Sequence, residues 1–281
     1  MEKLDRLGWA SELSFEAFGL AIGVRTNDAG LLQAIRPYLP PGSQPLSDPV
    51  VKKLYSIIGG GSPEHAHFRR LHLLYGNVER LARTAELTDL FEILRSDVNL
   101  YIAENAPRRL FVHAGAVGWG GRAIVIPGPS FSGKTALVQE FLRAGATYYS
   151  DEFAVLDGRG RVHPFATALS ARSANSGRPE MRPAEEYGSS NGVRPLPIGC
   201  IVATRYRPGA KWKPKAISKG LGALALLANT VAARTNPSKA LATLSSAVAG
   251  ARILKSTRGE AKQVVESILD HLQRHPFCRA D

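Results

Sequence analysis

Apolar and polar positions change period several times along the 281 residues. Residues 12–25 begin with alternation and then run apolar through Phe15, Phe18, Leu20, Ile22 and Val24, the pattern of a strand. Asn27-Asp28 supplies a cap for a short helix reaching Arg36, which Pro37, Pro40, Pro41 and Gly42 end. Residues 50–58 predict another strand, stopped by Gly59-Gly60-Gly61. Residues 71–75 and 78–82 flank Gly76-Asn77, a hairpin signal. Thr88 then caps a helix running to about Asn105, with Leu90, Leu94, Val98 and Tyr101 on one face at helical spacing. Residues 1–105 thus predict a small α+β region without a catalytic constellation. Its His65, His67 and His72 are too irregularly spaced to suggest a metal site.

The pattern tightens in residues 106–281. Residues 110–117 and 122–127 read as strands around the tight turn Gly118-Trp119-Gly120-Gly121, so the second strand runs antiparallel to the first. Residues 136–144 carry Leu137, Phe141 and Leu142 at helical spacing, and Gly145 stops that helix. Residues 147–150 form a short strand ending in Asp151-Glu152; residues 153–156 continue it, and Asp157-Gly158-Arg159-Gly160 turns the chain into residues 161–164. Residues 173–192 are polar and rich in Gly, Pro and Ser, the composition of a mobile or poorly ordered loop near the site. A strand over 196–204, a basic loop over 207–215 and helices over 221–233, 237–249 and 260–273 complete the reading. The fold expected is α/β, mixed with α+β character, without internal repeats.

Composition adds limits. A hydrophobic fraction of 44% and a charged fraction of 21% are those of a globular chain. No apolar run approaches the ~20 residues of a membrane span. The first residues show neither a basic leader nor an apolar signal core, and a cytoplasmic location is expected. Cys200 and Cys278 lie far apart with no C-x-x-C, which indicates neither a disulfide framework nor a zinc site. The net charge of +12 is unevenly placed, because residues 187–259 hold twelve Lys and Arg and no Asp or Glu. Such a field suits nucleotide phosphates, an acidic protein or peptide, or nucleic acid, and equally a solvated basic face. With Trp212 the one aromatic well placed among the cations, no nucleic-acid partner is expected.

The strongest chemical signal is Gly128-Pro129-Ser130-Phe131-Ser132-Gly133-Lys134-Thr135, which meets G-x-x-x-x-G-K-[ST] at every fixed position. It lies between the strand 122–127 and the helix 136–144, the context the pattern requires. Glycines let backbone N–H groups turn inward around phosphate oxygens, and the helix N-terminus adds its positive end. Lys134 would reach the outer phosphates and the Thr135 hydroxyl would hold Mg²⁺. Asp151 and Glu152 follow Lys134 by 17 and 18 residues. A helix, a turn and a returning strand bring such positions back beside the loop, where one carboxylate orders Mg²⁺ and the other accepts a hydroxyl proton. His113 sits on the strand paired with the one feeding the loop; judged alone, a histidine on an apolar strand is more often a satisfied core imidazole.

His113-Ala114-Gly115, the Gly-rich turn, the phosphate loop, Gly145 and Asp151-Glu152 together resemble the C-terminal catalytic domain of bacterial HPr kinase/phosphorylase. The resemblance covers roughly residues 110–155. It implies a P-loop kinase domain with a mixed sheet, like that of phosphoenolpyruvate carboxykinase, preceded by the small region 1–105. It implies an ATP- and Mg²⁺-dependent serine kinase acting on a protein or peptide acceptor, with a homo-oligomer left open. By position, Lys134 binds phosphate, Thr135 binds Mg²⁺ with Asp151, His113 assists near the moving phosphoryl, and Glu152 is the base. Three departures stand out. Glu152 replaces the second Asp of the family's pair; the downstream Glu-x-Arg-Gly signature is absent, leaving Glu180, Glu185 or Glu186 to replace its metal-binding glutamate; and residues 1–105 carry no motif of the family's N-terminal domain. These departures weaken the expectation of a phosphorylase activity. Arg205, Arg207 or Lys211 could neutralise charge on the moving phosphoryl. Other readings are a small-metabolite kinase of the shikimate or gluconate kinase type, against which the hairpin at residues 118–121 argues, and a regulatory module that binds ATP without transfer.

Overall fold

The computed structural model describes residues 2–47, 50–60, 71–172, 179–275 and 277. They form two compact units, Met1–Pro107 and Arg108–Asp281. Both are mixtures of helices with sheets that combine parallel and antiparallel strands.

In the first unit β1 (Ser11–Ala17), β2 (Leu20–Thr26), β3 (Gln44–Pro45), β4 (Lys53–Ile58), β5 (His72–Gly76) and β6 (Glu79–Thr84) form a sheet in the order β3-β1-β2-β4-β5-β6. Helices α1 (Glu2–Asp5), α2 (Ala29–Ile35) and α3 (Leu87–Asn105) accompany it. The single strand expected over residues 12–25 is instead an antiparallel hairpin, reversed at Phe18 and Gly19 with φ of 54° and 82°. A positive φ is uncommon outside glycine, so Phe18 hides the turn within an apolar run. Asp28 caps α2 as expected, its side chain accepting from the Gly30 N–H. Thr88 does not cap α3. The cap is Glu86, held by Thr84 Oγ1 accepting from its N–H at 3.1 Å. Leu90, Leu94, Val98 and Ile102 are buried along α3. Asp97 on the same helix accepts from the Tyr55 hydroxyl at 2.7 Å and pairs with Lys53 at 3.1 Å. His72 Nδ1 accepts from the Gly60 N–H at 3.1 Å, a local bond; His65 and His67 lie outside the described residues.

The second unit is built around the hairpin of β7 (Leu110–Trp119) and β8 (Arg122–Pro127). After β8 come α4 (Lys134–Arg143), β9 (Thr147–Ser150), β10 (Phe153–Leu156), β11 (Arg161–His163), β12 (Leu169–Arg172) and β13 (Pro179–Arg182). Then follow β14 (Leu196–Tyr206), β15 (Lys215–Ala216), α5 (Lys219–Leu227), α6 (Pro237–Ala249), β16 (Arg252–Arg258) and α7 (Ala261–Arg274). The sheet order is β11-β10-β7-β8-β14-β16-β15, with β9 also on β7 and β11 returning to β14. Strand β8 therefore has an antiparallel neighbour, β7, and a parallel one, β14, which is in turn parallel to β16.

Alternation along β8 divides two cores. Ile124 and Ile126 belong to one with Leu137 and Phe141 of α4 and Ile268 of α7, and Ala123 and Val125 to another with Leu226 of α5 and Leu244 of α6. This places helices on both faces of the sheet.

Three expectations change here. Residues 173–192 are not wholly an irregular loop: β12 and β13 pair around residues 173–178, which lie outside the described residues, and a 3-10 turn at Ala184–Tyr187 buries Ala184 and Tyr187. Those two apolar anchors offset the polar composition. The helix expected over 221–233 ends at Leu227 and gives way to a separate 3-10 turn, Val231–Ala233. The sequence pattern gives no sign of strand β16, since only Ile253 and Leu254 interrupt its polar and cationic positions, and the edge strand β15 begins inside the expected basic loop. Among the described residues no helix is long and apolar enough to cross a membrane.

Candidate functional site

Residues 128–133 join the end of β8 to α4. The local geometry depends on two glycines. A Cβ on Gly128 would lie 2.7 Å from Ser132 Oγ. Gly133, the N-cap of α4, has φ 83°, and a Cβ there would come within 2.3 Å of the Arg258 guanidinium. No acidic side chain stands in the first turn of α4, so its unpaired N–H groups keep an undiminished positive end. Lys134 is only 6% exposed and folds back so that Nζ donates to the Pro129 carbonyl at 2.8 Å. Burial lowers its pKa to about 8, against the opposing pull of Asp151 and Glu152. A cation held dry beside backbone donors is suited to an anion.

The acidic pair reaches the loop along β7. Strands β9 and β10 both pair antiparallel with it, β9 with a register shift between Ala116 and Val117; Ser150 stands opposite Ala116 and Phe153 opposite His113, and Asp151-Glu152 is the break between them. Ser150 Oγ accepts from the N–H groups of Glu152 at 3.1 Å and Phe153 at 2.9 Å, which fixes that break. Gly115 lets α4 lie close to β7, because a Cβ there would stand 2.7 Å from Val138. The buried Asp151 carboxylate accepts from Thr135 Oγ1 at 3.0 Å and from the Tyr148 hydroxyl at 2.9 Å. Burial, then the Asp151 charge, raises the Tyr148 phenol well above its ordinary pKa, so it stays a donor. By giving its proton to Asp151, Thr135 keeps oxygen lone pairs for a cation. Mg²⁺ needs only one or two protein oxygens beside phosphates and waters, and Thr135 with Asp151 fits that requirement. Glu152 is half-buried, and its carbonyl accepts from the Ala114 N–H at 3.1 Å.

His113 Nδ1 lies 2.9 Å from the Gly128 carbonyl oxygen. A carbonyl only accepts, so Nδ1 carries the proton and Nε2 presents its lone pair toward Ser130 Oγ at 3.4 Å. Burial and the neighbouring Lys134 lower the His113 pKa, against the Gly128 bond and Asp151. The bonded imidazole links β7 to the loop's first residue.

Arg258, at the end of β16, is a residue that sequence reading missed as part of the site. It is 2% exposed, and its Nη2 donates to the Gly133 carbonyl at 2.9 Å and the Ser132 carbonyl at 3.4 Å. Its Nη1 donates to the Gly259 carbonyl at 3.0 Å, and the Tyr206 ring lies 5.2 Å from its Cζ. Holding two loop carbonyls outward favours the neighbouring N–H groups facing inward. The signal in the sequence was one arginine among twelve cations, ending a strand that was not recognised.

Beside the loop on its β14 flank lies a cleft of about 990 Å³ that includes Gly128, Phe131, Arg205, Ile217, Ala228 and Lys255 in its walls. Arg205 thus faces the site region, while Arg207 and Lys211 are exposed and outside the cleft walls. Glu185 and Glu186 lie exposed on the 3-10 turn, Glu186 at 3.9 Å from Arg182; the Glu180 side chain is outside the described residues. Among the described residues no three His, Cys, Asp or Glu side chains converge as a metal cluster. Trp212 packs partly buried against the α4–α7 core, which withdraws it as a stacking platform. Cys200 is buried, and burial raises its thiol to about 12; Cys278 is outside the described residues. No protein-family model and no curated protein matches this sequence.

Proposed function

We propose that the second unit is an ATP- and Mg²⁺-dependent kinase that phosphorylates a serine hydroxyl on a protein or peptide, related to the HPr kinase type. The observation that carries this reading is Asp151, shared between the Thr135 and Tyr148 hydroxyls beside the buried Lys134. A phosphate loop alone fits many nucleotide binders; a carboxylate bonded to its terminal threonine is what a metal-assisted phosphoryl transfer needs.

In this reading the N–H groups of residues 130–133 and Lys134 hold the outer phosphates, and Thr135 and Asp151 hold Mg²⁺, which supplies charge neutralisation when bound. Glu152 accepts the hydroxyl proton as the serine oxygen bonds to the γ-phosphorus. The bond from that phosphorus to the β,γ-bridging oxygen breaks, and the electron pair leaves with the diphosphate. Neutral His113 accepts a hydrogen bond at Nε2 near the transferred group, its ring held by Gly128.

The mixed sheet favours this reading over the small-metabolite kinases, whose core is parallel. The test is γ-labelled ATP with Mg²⁺ and a cell lysate, comparing wild type with Glu152→Gln. Label on a discrete polypeptide that is lost in the variant supports the kinase. Tight ATP binding without transfer, unchanged by the substitution, would overturn it in favour of a nucleotide-binding regulatory module.

A further inference from the structure

We infer that the cleft on the β14 flank of the phosphate loop binds the nucleoside end of the phosphoryl donor, making this protein selective for a nucleoside triphosphate over inorganic polyphosphate. The inference rests on the proposed function, because it starts from phosphates seated in the loop. Phosphoryl transfer proceeds with the attacking and leaving oxygens roughly in line, so acceptor and leaving group occupy opposite sides of the transferred phosphorus. Asp151 and Glu152 lie between β9 and β10, both of which pair with β7, whereas the cleft is walled by β14, β15, β16 and the end of α5. In the sheet order β7-β8-β14-β16 the loop extends from β8, so the carboxylates and the cleft flank it on opposite sides. The acceptor hydroxyl belongs with Glu152, and the leaving diphosphate and whatever it carries belong with the cleft.

The chemistry of the cleft agrees. It is continuous with the loop through Gly128 to Ser132 and lies at the carboxyl ends of the parallel strands β8, β14 and β16, where open α/β sheets bind ligands. Its apolar portion includes Ala203, Ile217, Ala225 and Ala228, small or flat surfaces against which a planar base can lie. Arg205, Lys215 and Lys255 stand exposed on the same walls, suited to the α-phosphate and ribose side of an anion. The absence of carboxylates between residues 187 and 259 finds a use here, because all the walls beyond the phosphate loop and Pro127 come from that segment. A volume of about 990 Å³ is at the upper end for a small-ligand site, ample for a nucleoside.

The test is calorimetric titration of the full chain with Mg·ATP and with Mg·tripolyphosphate. Wild type should bind ATP at least about tenfold more tightly than tripolyphosphate. Ala228→Trp, placed on an exposed wall position, should erase that difference by weakening ATP while tripolyphosphate binding stays the same. Ala225→Leu, a smaller addition to the same apolar wall, should weaken ATP more than tripolyphosphate and guards against a misfolded tryptophan variant. Equal wild-type affinities for the two ligands would overturn the nucleoside subsite and leave the phosphate loop intact as a site. Unchanged ATP binding in both variants, with a raised KM for the acceptor, would overturn it in favour of acceptor docking. Binding of neither ligand would remove the kinase reading itself.

Discussion

The Nη2 of Arg258 donates to the carbonyl of Gly133 at 2.9 Å, tying the end of β16 to the residue that caps α4. The two residues are 125 positions apart in the chain. A substitution at either one disturbs the other. Arg258→Ala removes the donor from three carbonyls, two of them in the partly buried loop, and hydrogen bonds involving a charged group contribute about 1.5–3 kcal/mol. ATP affinity should fall by at least about tenfold. Arg258→Lys keeps a cation but not the planar fork, so it should retain the fold, measured by thermal unfolding, yet bind ATP more weakly than wild type. A lysine variant with wild-type affinity would mean the arginine contributes only its charge.

On the proposed function, Lys134 would give nucleotide binding a defined pH dependence. Its pKa in the ligand-free protein is lowered to about 8, first by burial. Phosphates favour the ammonium, so ATP binding raises that pKa and takes up a proton when the free amine is neutral. Affinity should hold steady below pH 8 and decline above it, approaching tenfold per pH unit until the bound-state pKa is reached. Isothermal titration across pH 7 to 10 in buffers of different ionisation enthalpy would show the proton uptake. Lys134→Met should lack both the slope and most of the affinity.

Asp151 should control metal use more than phosphate contact. Its carboxylate accepts from Thr135 and Tyr148, and as an anion it would meet the phosphates of the proposed ligand through a cation. Asp151→Asn should therefore lower the Mg²⁺-dependent gain in ATP affinity and leave metal-free ATP binding near wild type. Tyr148→Phe removes one of those bonds from a buried carboxylate, costing stability on the order of 1–2 kcal/mol with a smaller effect on metal use. Equal loss of metal-free and metal-dependent binding in Asp151→Asn would point to collapse of the loop instead.

The sequence carried this site unevenly. The loop, Lys134 and Thr135 are contiguous, and the strand before them and the helix after them show through ordinary periodicity. Asp151 and Glu152 were legible because one helix and one turn return the chain over a short, countable distance. Tyr148 was not, since a tyrosine inside Thr147-Tyr148-Tyr149-Ser150 reads as core until its hydroxyl is placed against Asp151. Arg258 and the cleft were hidden more deeply. Both depend on β16 lying parallel to β14, a long-range pairing of a strand with only two central apolar residues. The turn at Phe18-Gly19 was missed for a different reason: its residue types favour a continuous strand, and pairing in the sheet overrides them.

Asp157 supplies a stability switch that is independent of the loop at residues 128–135. At the end of β10 its carboxylate accepts from the N–H groups of Arg159 at 2.9 Å and Arg161 at 3.0 Å. It also accepts from Arg161 Nε at 2.9 Å and lies 3.0 Å from His163 Nε2. Burial alone would raise its pKa, but these bonds outweigh it and bring the group from 3.8 to about 2. The folded protein thus holds the ionised form more tightly than the unfolded chain does. That stabilisation is fully present above the unfolded pKa near 4, and it is lost as pH falls through about 2. The shift corresponds to stability on the order of 2 kcal/mol at neutral pH. Asp157→Asn should lose about that much at pH 7, read as a lower urea midpoint with an unchanged slope. The gap between wild type and variant should narrow between pH 4 and pH 2, because the wild-type carboxyl becomes protonated there. A gap that stays constant over that window would assign the loss to turn geometry instead of to the charge. Nucleotide affinity of the folded variant should match wild type, since among the described residues the Asp157 side chain bonds to Arg159, Arg161 and His163 of the β10–β11 hairpin.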